Sequence, residues 1–357
     1  MALVGVGGAA IIGALSMIGL VVAAELVVRT LVGLARYYDI SESTIGLTVL
    51  SLGTSLPEIA AHLVGSTQIL LGVGELRLIS ATVLGGNIGS DVVQQTLVLG
   101  LVVLAVGGFQ FSKQFLLRGY APMIGTTLLT LVLAWDGRLT RLDGLVLLTM
   151  FVAYTTFLYA TRSEVLQQQA SASPSTNPRR DAAVAAAGIL VVVVAAHFLF
   201  QAVDIVVRQT GLEGSLIGVT VLGIGAASPE MTTAIVGLRE GAEGLSLGTL
   251  IGSNITNPLL GIGLGSALST YVVPRPLVYW DLPMETVTAA MLLTYLLTKD
   301  DLGATLAGVA GRFGFERTAG RLSTVRERHL GRVGAVLLIA LYLVYLVVRI
   351  VYFPEDF

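Results

Sequence analysis

Ten apolar segments of roughly membrane-spanning length follow one another along 357 residues, at 4–35, 43–72, 79–107, 115–135, 143–162, 183–209, 214–239, 245–273, 281–298 and 332–353. About 20 consecutive apolar residues in a helix cross the hydrocarbon core of a bilayer. Inside that core only helices and closed barrels satisfy their own backbone polar groups. The pattern therefore predicts an all-α polytopic membrane protein with about ten transmembrane helices. A soluble domain with a large core is excluded by charge: 12% of residues are charged, against about 25% in soluble domains. The net charge of −2 gives no footprint for nucleic acid, and the absence of cysteine removes disulfides, thiolate chemistry and Cys-ligated metals. "MALVGVGGAAIIGALSMIGL" lacks a basic start and a cleavage signal, so it reads as the first membrane helix.

The polar, Ser/Pro-rich stretch "RSEVLQQQASASPSTNPRRD" divides the segments into two sets of five. The expected organisation is a first five-helix repeat at 1–163, a cytoplasmic linker at 164–181, and a second five-helix repeat at 182–357 with a basic cytoplasmic loop at 299–332. Part of that loop, "GRFGFERTAGRLSTVRERHLGR", has the composition of a short amphipathic surface helix. Cationic loop residues set orientation. With both termini outside, fifteen Lys and Arg fall on the cytoplasmic side and six outside. The expected location is thus the cell membrane, multi-pass, with linker and basic loop cytoplasmic.

The two halves repeat one another. "STIGLTVLSLGTSLPEIAAHLVG" (43–65) aligns without gaps to "SLIGVTVLGIGAASPEMTTAIVG" (215–237), with 11 identities in 23 positions. "LGGNIGSDVVQQTLVLGL" (84–101) matches "LGTLIGSNITNPLLGIGL" (247–264), and "ELVVRT" (25–30) more weakly matches "DIVVRQ" (204–209). Five spans per half is an odd number, so the second half enters the membrane from the opposite face. Equivalent residues then meet near the midplane across an axis lying in the membrane, the inverted repeat of secondary transporters.

Each copy carries a proline followed by a glutamate, Pro57–Glu58 and Pro229–Glu230, inside an apolar segment. Proline removes an amide donor and breaks the helix. The freed carbonyls are tolerated at membrane depth only where they face protein or a water-filled cavity. A carboxylate there costs about 2.5–3.5 kcal/mol on insertion scales, and needs a cation or a proton. "GTSLPE" adds the hydroxyls of Thr54 and Ser55, and "GAASPE" adds Ser228. "GSDVVQ" (89–94) and "GSNITN" (252–257) supply Ser90, Gln94, Ser253 and Asn257. Oxygen donors of this kind suit a hard cation such as Na⁺ or Ca²⁺.

At these residues the chain resembles the cation/Ca²⁺ exchanger superfamily, and within it the prokaryotic Na⁺/Ca²⁺ exchangers, whose paired motifs have the form GTSLPE and GNxxGSN. The resemblance implies ten helices in two inverted halves and a cluster of four cation sites. It carries over Thr54, Ser55, Glu58, Ser90 and Gln94 from the first half, and Glu230, Ser253 and Asn257 from the second, with Ala226 and Ala227 as backbone positions. The implied activity is exchange of Ca²⁺ for Na⁺ by alternating access, with those ions and the lipid bilayer as partners, no cofactor and no obligate protein partner. Gln94 stands where Asn is usual, Asn257 where many relatives have Asp, and "GAAS" lacks the Thr-Ser pair of "GTSL". These departures leave H⁺ open as the counter-ion. His62, one turn after Glu58, would favour H⁺ as a proton relay, and Asp91, beside Ser90, is a possible accessory acid. Glu25–Arg29 and Asp204–Arg208, each four apart, read as local ion pairs. A passive channel would need an open pore. An intramembrane enzyme would need a nucleophile or metal ligands that the sequence does not supply, so no catalytic activity is expected.

Overall fold

In a computed structural model of the chain, residues 6–38, 40–73, 75–160, 175–210, 219–220, 223–312 and 328–353 are described. They form ten helical spans. Span 1 is Val6–Tyr37, and span 2 is Ser43–Thr54 followed, at a 44° bend, by Leu56–Leu70. Spans 3, 4 and 5 are Leu76–Val106, Lys113–Leu133 and Arg141–Ala160. Span 6 is Pro178–Thr210; span 7 comprises Gly223–Ala226 and Ser228–Arg239. Span 8 runs through Glu243–Thr256, Asn257–Ile262 and Gly263–Leu268. Span 9 is Leu277–Asp281 with Leu282–Arg312, and span 10 is Arg332–Tyr352.

Polarity is turned inside out relative to a soluble protein. Leu145, Val152, Val333, Leu337 and Val347 point outward. Ser51, Thr54, Glu58, Asp91, Gln94, Glu230, Asn254 and Asn257 are buried. Among the described residues five helices are apolar enough to cross a membrane alone, or six if the bent pair is one span. In span 7 the described helices are 4 and 12 residues long, while span 8 carries Ser253, Asn254 and Asn257 and faces the interior of the bundle.

The repeat is visible in the backbone. π-Helical turns begin at Gln94 in span 3 and at its repeat partner Asn257 in span 8. Another pair opens spans 4 and 9, at Leu116–Tyr120 and Leu277–Asp281. π Turns insert a residue into the helical ladder and re-aim the side chains around them. The halves also interlock symmetrically. A Cβ on Gly252 would lie 2.8 Å from the Leu47 Cα and 2.7 Å from Ser51. Its partner Gly89 would meet the Val219 Cα at 2.5 Å and approaches Gly223. Leu47 and Ser51 align with Val219 and Gly223, so one pseudo-twofold contact is made twice. Gly46 and Gly248 form a further backbone-to-backbone approach between spans 2 and 8.

Two short antiparallel pairings tie loops that must share a membrane face. Gly108–Gln110 pairs with His329–Gly331, and Arg138–Leu139 with Tyr271–Val272. The first joins loops 3–4 and 9–10 and the second loops 4–5 and 8–9, as ten alternating crossings require. Spans 9 and 10 are clamped by a buried ion pair, Asp281–Arg349 at 3.2 Å, with the Tyr345 hydroxyl donating to Asp281 at 2.7 Å and Trp280 stacked over Tyr345.

Span 9 runs further than the expected end at 298. "KDDLGATLAGVAGR" contains no proline and is rich in helix formers, so charge ends the membrane crossing without ending the helix. Thus 299–312, expected as loop, is helical; most of the proposed surface helix lies outside the described residues, as does most of the linker. Arg29 pairs with Glu25 at 2.7 Å and also reaches Glu240 at 3.0 Å, beyond span 7. The side chains of Asp204 and Arg208 are outside those described.

Candidate functional site

Spans 2 and 7 each break at one residue, Ser55 and Ala227, and restart with proline at the second helical position. Proline is favourable there because the first amides of a helix lack intrahelical acceptors. Pro57 has no N–H for the Gly53 carbonyl, and Pro229 none for that of Gly225. Glu58 and Glu230 therefore sit in the first turn of a half-helix, where the aligned peptide dipoles favour a negative charge. Gly53 is needed for packing: a Cβ would meet the Ile189 side chain at 2.8 Å.

Both carboxylates are buried, Glu230 completely, and close enough for their charges to act on one another. The Ser90 hydroxyl donates to Glu58 Oε1 at 3.4 Å. Glu58 Oε2 has no partner, nor has either oxygen of Glu230. Glu230 lies beside the hydroxyls of Thr54 and Ser55. Thr54 turns its hydroxyl back to the Leu50 carbonyl, while the Ser55 Oγ is unpartnered. Ala226 and Ala227 are buried at the equivalent break, and Ser228 donates to the Ile224 carbonyl at 3.1 Å.

The motifs on spans 3 and 8 exchange bonds across the pseudo-twofold axis. Asn257 Nδ2 donates to Asp91 Oδ1 at 2.7 Å, and Asn254 Nδ2 donates to Gln94 Oε1 at 3.0 Å. Asp91 aligns with Asn254 and Gln94 with Asn257, so one contact again occurs twice. Its two copies differ in what they leave free. Asn257 Oδ1 and Asp91 Oδ2 are unpartnered. The Gln94 oxygen is taken by Asn254 and by Ser253 Oγ at 2.5 Å, and its NH₂ donates to Ser90 at 3.0 Å. Gln94 thus lines the site through its donor side.

Six buried oxygens are left without a partner here: one each from Ser55, Glu58, Asp91 and Asn257, and two from Glu230. An unpaired buried oxygen costs about 1–3 kcal/mol, more when charged, so such a group suits a dehydrated cation. Among the described residues no three His, Asp or Glu side chains converge as a metal cluster. The donor set is therefore two carboxylates in an oxygen-rich cage, with Asp91 alongside.

Among the described residues one cleft leads toward the site. A cleft of about 830 Å³ runs between spans 2, 3 and 6, from Gln68 near the end of span 2 and Glu75 just before span 3 down to Pro57, Glu58 and Ala226. On the opposite face the Gly46–Gly248 approach holds spans 2 and 8 together. His62 does not line this cleft. It is fully buried, with Nδ1 3.3 Å from the Tyr271 hydroxyl and its ring against Gly261. No hydrogen bond joins it to Glu58 among the described residues.

Sequence reasoning missed a second polar cluster. Glu285 of span 9 is buried and accepts from Thr127 at 2.8 Å and Gln95 at 3.0 Å; Gln95 also donates to Asn254 at 2.8 Å. The available signal was a carboxylate inside an apolar segment, a functional candidate by default.

The family model described as sodium/calcium exchanger protein matches residues 8–160 and 181–351, more than half of the chain. The chain belongs to the sodium/calcium exchanger family. Among relatives of this exchanger-family chain, the sodium/calcium exchanger MaX1 of Methanosarcina acetivorans is 23% identical over 325 residues, 80% of this chain and 90% of its own. The inner membrane protein YrbG of Escherichia coli is 29% identical over 255 residues, 69% and 75% of the two chains. A structure of the sodium-calcium exchanger NCX_Mj, soaked with Na⁺ and Sr²⁺, superposes with a TM-score of 0.71 at 20% identity and covers 96% of this chain and 99% of its own. That similarity establishes the fold: a ten-helix inverted-repeat exchanger architecture in a multi-pass membrane protein.

Proposed function

We propose that the chain is a Ca²⁺ antiporter working by alternating access, with Na⁺ as counter-ion. The observation that carries this reading is the pair Glu58 and Glu230. They are related by the repeat and buried with unpaired oxygens, and a cleft among the described residues reaches Glu58 and the Ala226 break beside Glu230. Two carboxylates balance one Ca²⁺. Ser55, Asp91 and Asn257 complete its oxygen shell, while Thr54, Ser90, Gln94 and Ser253 shape the wall, and Ala226, Ala227 and Ser228 contribute backbone at the second break. A channel would need a path open at both faces, whereas among the described residues one cleft leads toward the site. The cationic loop residues favour both termini outside, which makes the open face extracellular. The reading includes the linker at 164–181 as a cytoplasmic connection between the two halves.

A second reading, H⁺ as counter-ion, is favoured by one feature. Gln94 spends its oxygen on Asn254 and Ser253, and Ala226 and Ala227 offer no hydroxyls, so fewer oxygens are left for Na⁺. Vesicles containing the protein, loaded either with Na⁺ or with acid at equal osmolarity, separate the two. The expected result is Ca²⁺ uptake that follows the outward Na⁺ gradient. Uptake that follows the pH gradient and ignores Na⁺ would replace Na⁺ by H⁺.

A further inference from the structure

Beyond the cation cage, an uninterrupted series of buried hydrogen bonds links spans 4, 9, 3, 8 and 2. Thr127 Oγ1 and Gln95 Nε2 donate to Glu285 Oε1, at 2.8 and 3.0 Å. Gln95 Nε2 donates its second hydrogen to Asn254 Oδ1 at 2.8 Å. Asn254 Nδ2 donates to Gln94 Oε1, Gln94 Nε2 to Ser90 Oγ, and Ser90 Oγ to Glu58 Oε1. Every side chain in the series is buried.

The direction of the series is fixed at one point by a backbone carbonyl, which can only accept, and supported at another by the Glu285 oxygen that accepts from Thr127 and Gln95. Asn254 Nδ2 lies 2.7 Å from the Leu250 backbone carbonyl, so that end of the amide must be nitrogen. The Glu285 oxygen accepts from Thr127, so Gln95 must turn its nitrogen toward it as well. With both ends set, the Asn254 oxygen faces Gln95 and the Gln94 oxygen faces Asn254. Gln94 is then held with its NH₂ toward Ser90 and Glu58. Without Glu285, Gln95 would keep only its bond to the Asn254 oxygen and lose the second bond that holds its amide in place, which would loosen each later link.

We propose that Glu285 is a positioning residue for cation binding: acting through Gln95, it reinforces the Asn254 orientation set by the Leu250 carbonyl, and so holds the Gln94 amide with its donor side toward Ser90 and Glu58. Glu285 does not touch the transported ion. Its effect is to hold the Ser90–Glu58 pair in one arrangement before the ion arrives, so that less ordering is needed on binding. It also withholds the Gln94 oxygen from the cage, which makes this glutamate a determinant of how many oxygens the site can offer. Glu285 has no acidic counterpart in span 4, so this control acts on one half of the repeat only.

The proposal rests on the Ca²⁺ antiport reading, and the test keeps the two apart. The full chain is purified, reconstituted in liposomes, and the KM for Ca²⁺ and the maximal rate are measured for wild type, Glu285→Leu, Glu285→Gln and Gln95→Leu. Glu285→Leu and Gln95→Leu each raise KM by about tenfold, the size of one lost buried interaction, with a smaller change in maximal rate. Glu285→Gln keeps an oxygen for Thr127 and Gln95 and restores KM to within about twofold of wild type. The double variant Glu285→Leu/Gln95→Leu is no worse than either single one, because both cut the same series. Should Glu285→Leu fail to fold, Gln95→Leu decides the matter alone. A wild-type KM in Gln95→Leu, or a folded Glu285→Gln protein as impaired as Glu285→Leu, overturns the proposal. Wild-type liposomes with no Ca²⁺ uptake would remove the antiport reading, and this proposal with it.

Discussion

Glu58→Gln and Glu230→Gln each reduce Ca²⁺ flux by at least about two orders of magnitude while leaving the protein folded and inserted. Glutamine keeps the volume and one acceptor oxygen but replaces a negative charge with an NH₂ that repels a cation. Inside a protein, the loss of one charge from a pair facing a divalent ion outweighs a neutral hydrogen bond severalfold. A factor of one hundred in flux corresponds to about 2.7 kcal/mol, well within that range. The fold is spared because both carboxylates lack protein partners on the oxygens that face the cage. Their cost to the apo protein falls when the charge is removed, so both variants are expected to melt at or above the wild-type temperature. Tracer flux in vesicles, together with thermal melts in detergent, checks the two halves of this expectation. Near-wild-type flux in either variant would remove that glutamate from the site.

Gly89→Ala and Gly252→Ala are expected to prevent accumulation of folded protein, whereas Gly86→Ala on the same helix as Gly89 is tolerated. A methyl at Gly89 would sit 2.5 Å from the Val219 Cα and 2.7 Å from its carbonyl oxygen. A methyl at Gly252 would sit 2.8 Å from the Leu47 Cα and 2.7 Å from Ser51. Backbone atoms in a packed membrane helix cannot step aside singly, so the two halves must separate or the helix must shift. Overpacking by a single methylene already costs about 1–3 kcal/mol where side chains can yield, and a clash with backbone exceeds that. Small residues at such crossings are what let helices meet closely in a bilayer. A Cβ at Gly86 meets nothing within 4 Å, so it controls for the chemistry of the change. Yield of monodisperse protein in detergent distinguishes the three. Full yield from Gly89→Ala would contradict the close approach of spans 3 and 7.

The parts of this molecule that sequence reveals are those written in a repeat. Pro57–Glu58 and Pro229–Glu230 stand in register within aligned segments, and the odd number of spans per half turns that register into an inverted pair. Spans 3 and 8 could be matched for the same reason, and the π turns at Gln94 and Asn257 fall at matched positions. Hydrogen-bond direction was not legible. Nothing in "GSDVVQ" says that Gln94 will spend its oxygen on Asn254, because the donor that takes it sits on span 8 and is oriented there by the Leu250 carbonyl. Glu285 itself has no acidic repeat partner in span 4, so an argument from symmetry passes over it. His62 shows the converse. Its spacing places it one turn beyond Glu58, but helix rotation and the packing of Gly261 and Tyr271 turn its ring away from the cleft. The extension of span 9 to Arg312 was hidden because charged residues mark the end of a membrane crossing and say little about the end of a helix.

Ca²⁺ counterflow in liposomes containing the purified chain tests antiport most directly and needs no choice of counter-ion. Liposomes are loaded with unlabelled Ca²⁺ and diluted into a trace of labelled Ca²⁺, with no Na⁺ or pH gradient. A carrier whose site faces one side at a time returns loaded more readily than empty, so internal Ca²⁺ accelerates tracer entry and the rate saturates with external Ca²⁺. Glu58→Gln and Glu230→Gln abolish that acceleration. Tracer entry that is indifferent to internal Ca²⁺ and rises linearly with external concentration would contradict alternating access and identify a passive path instead.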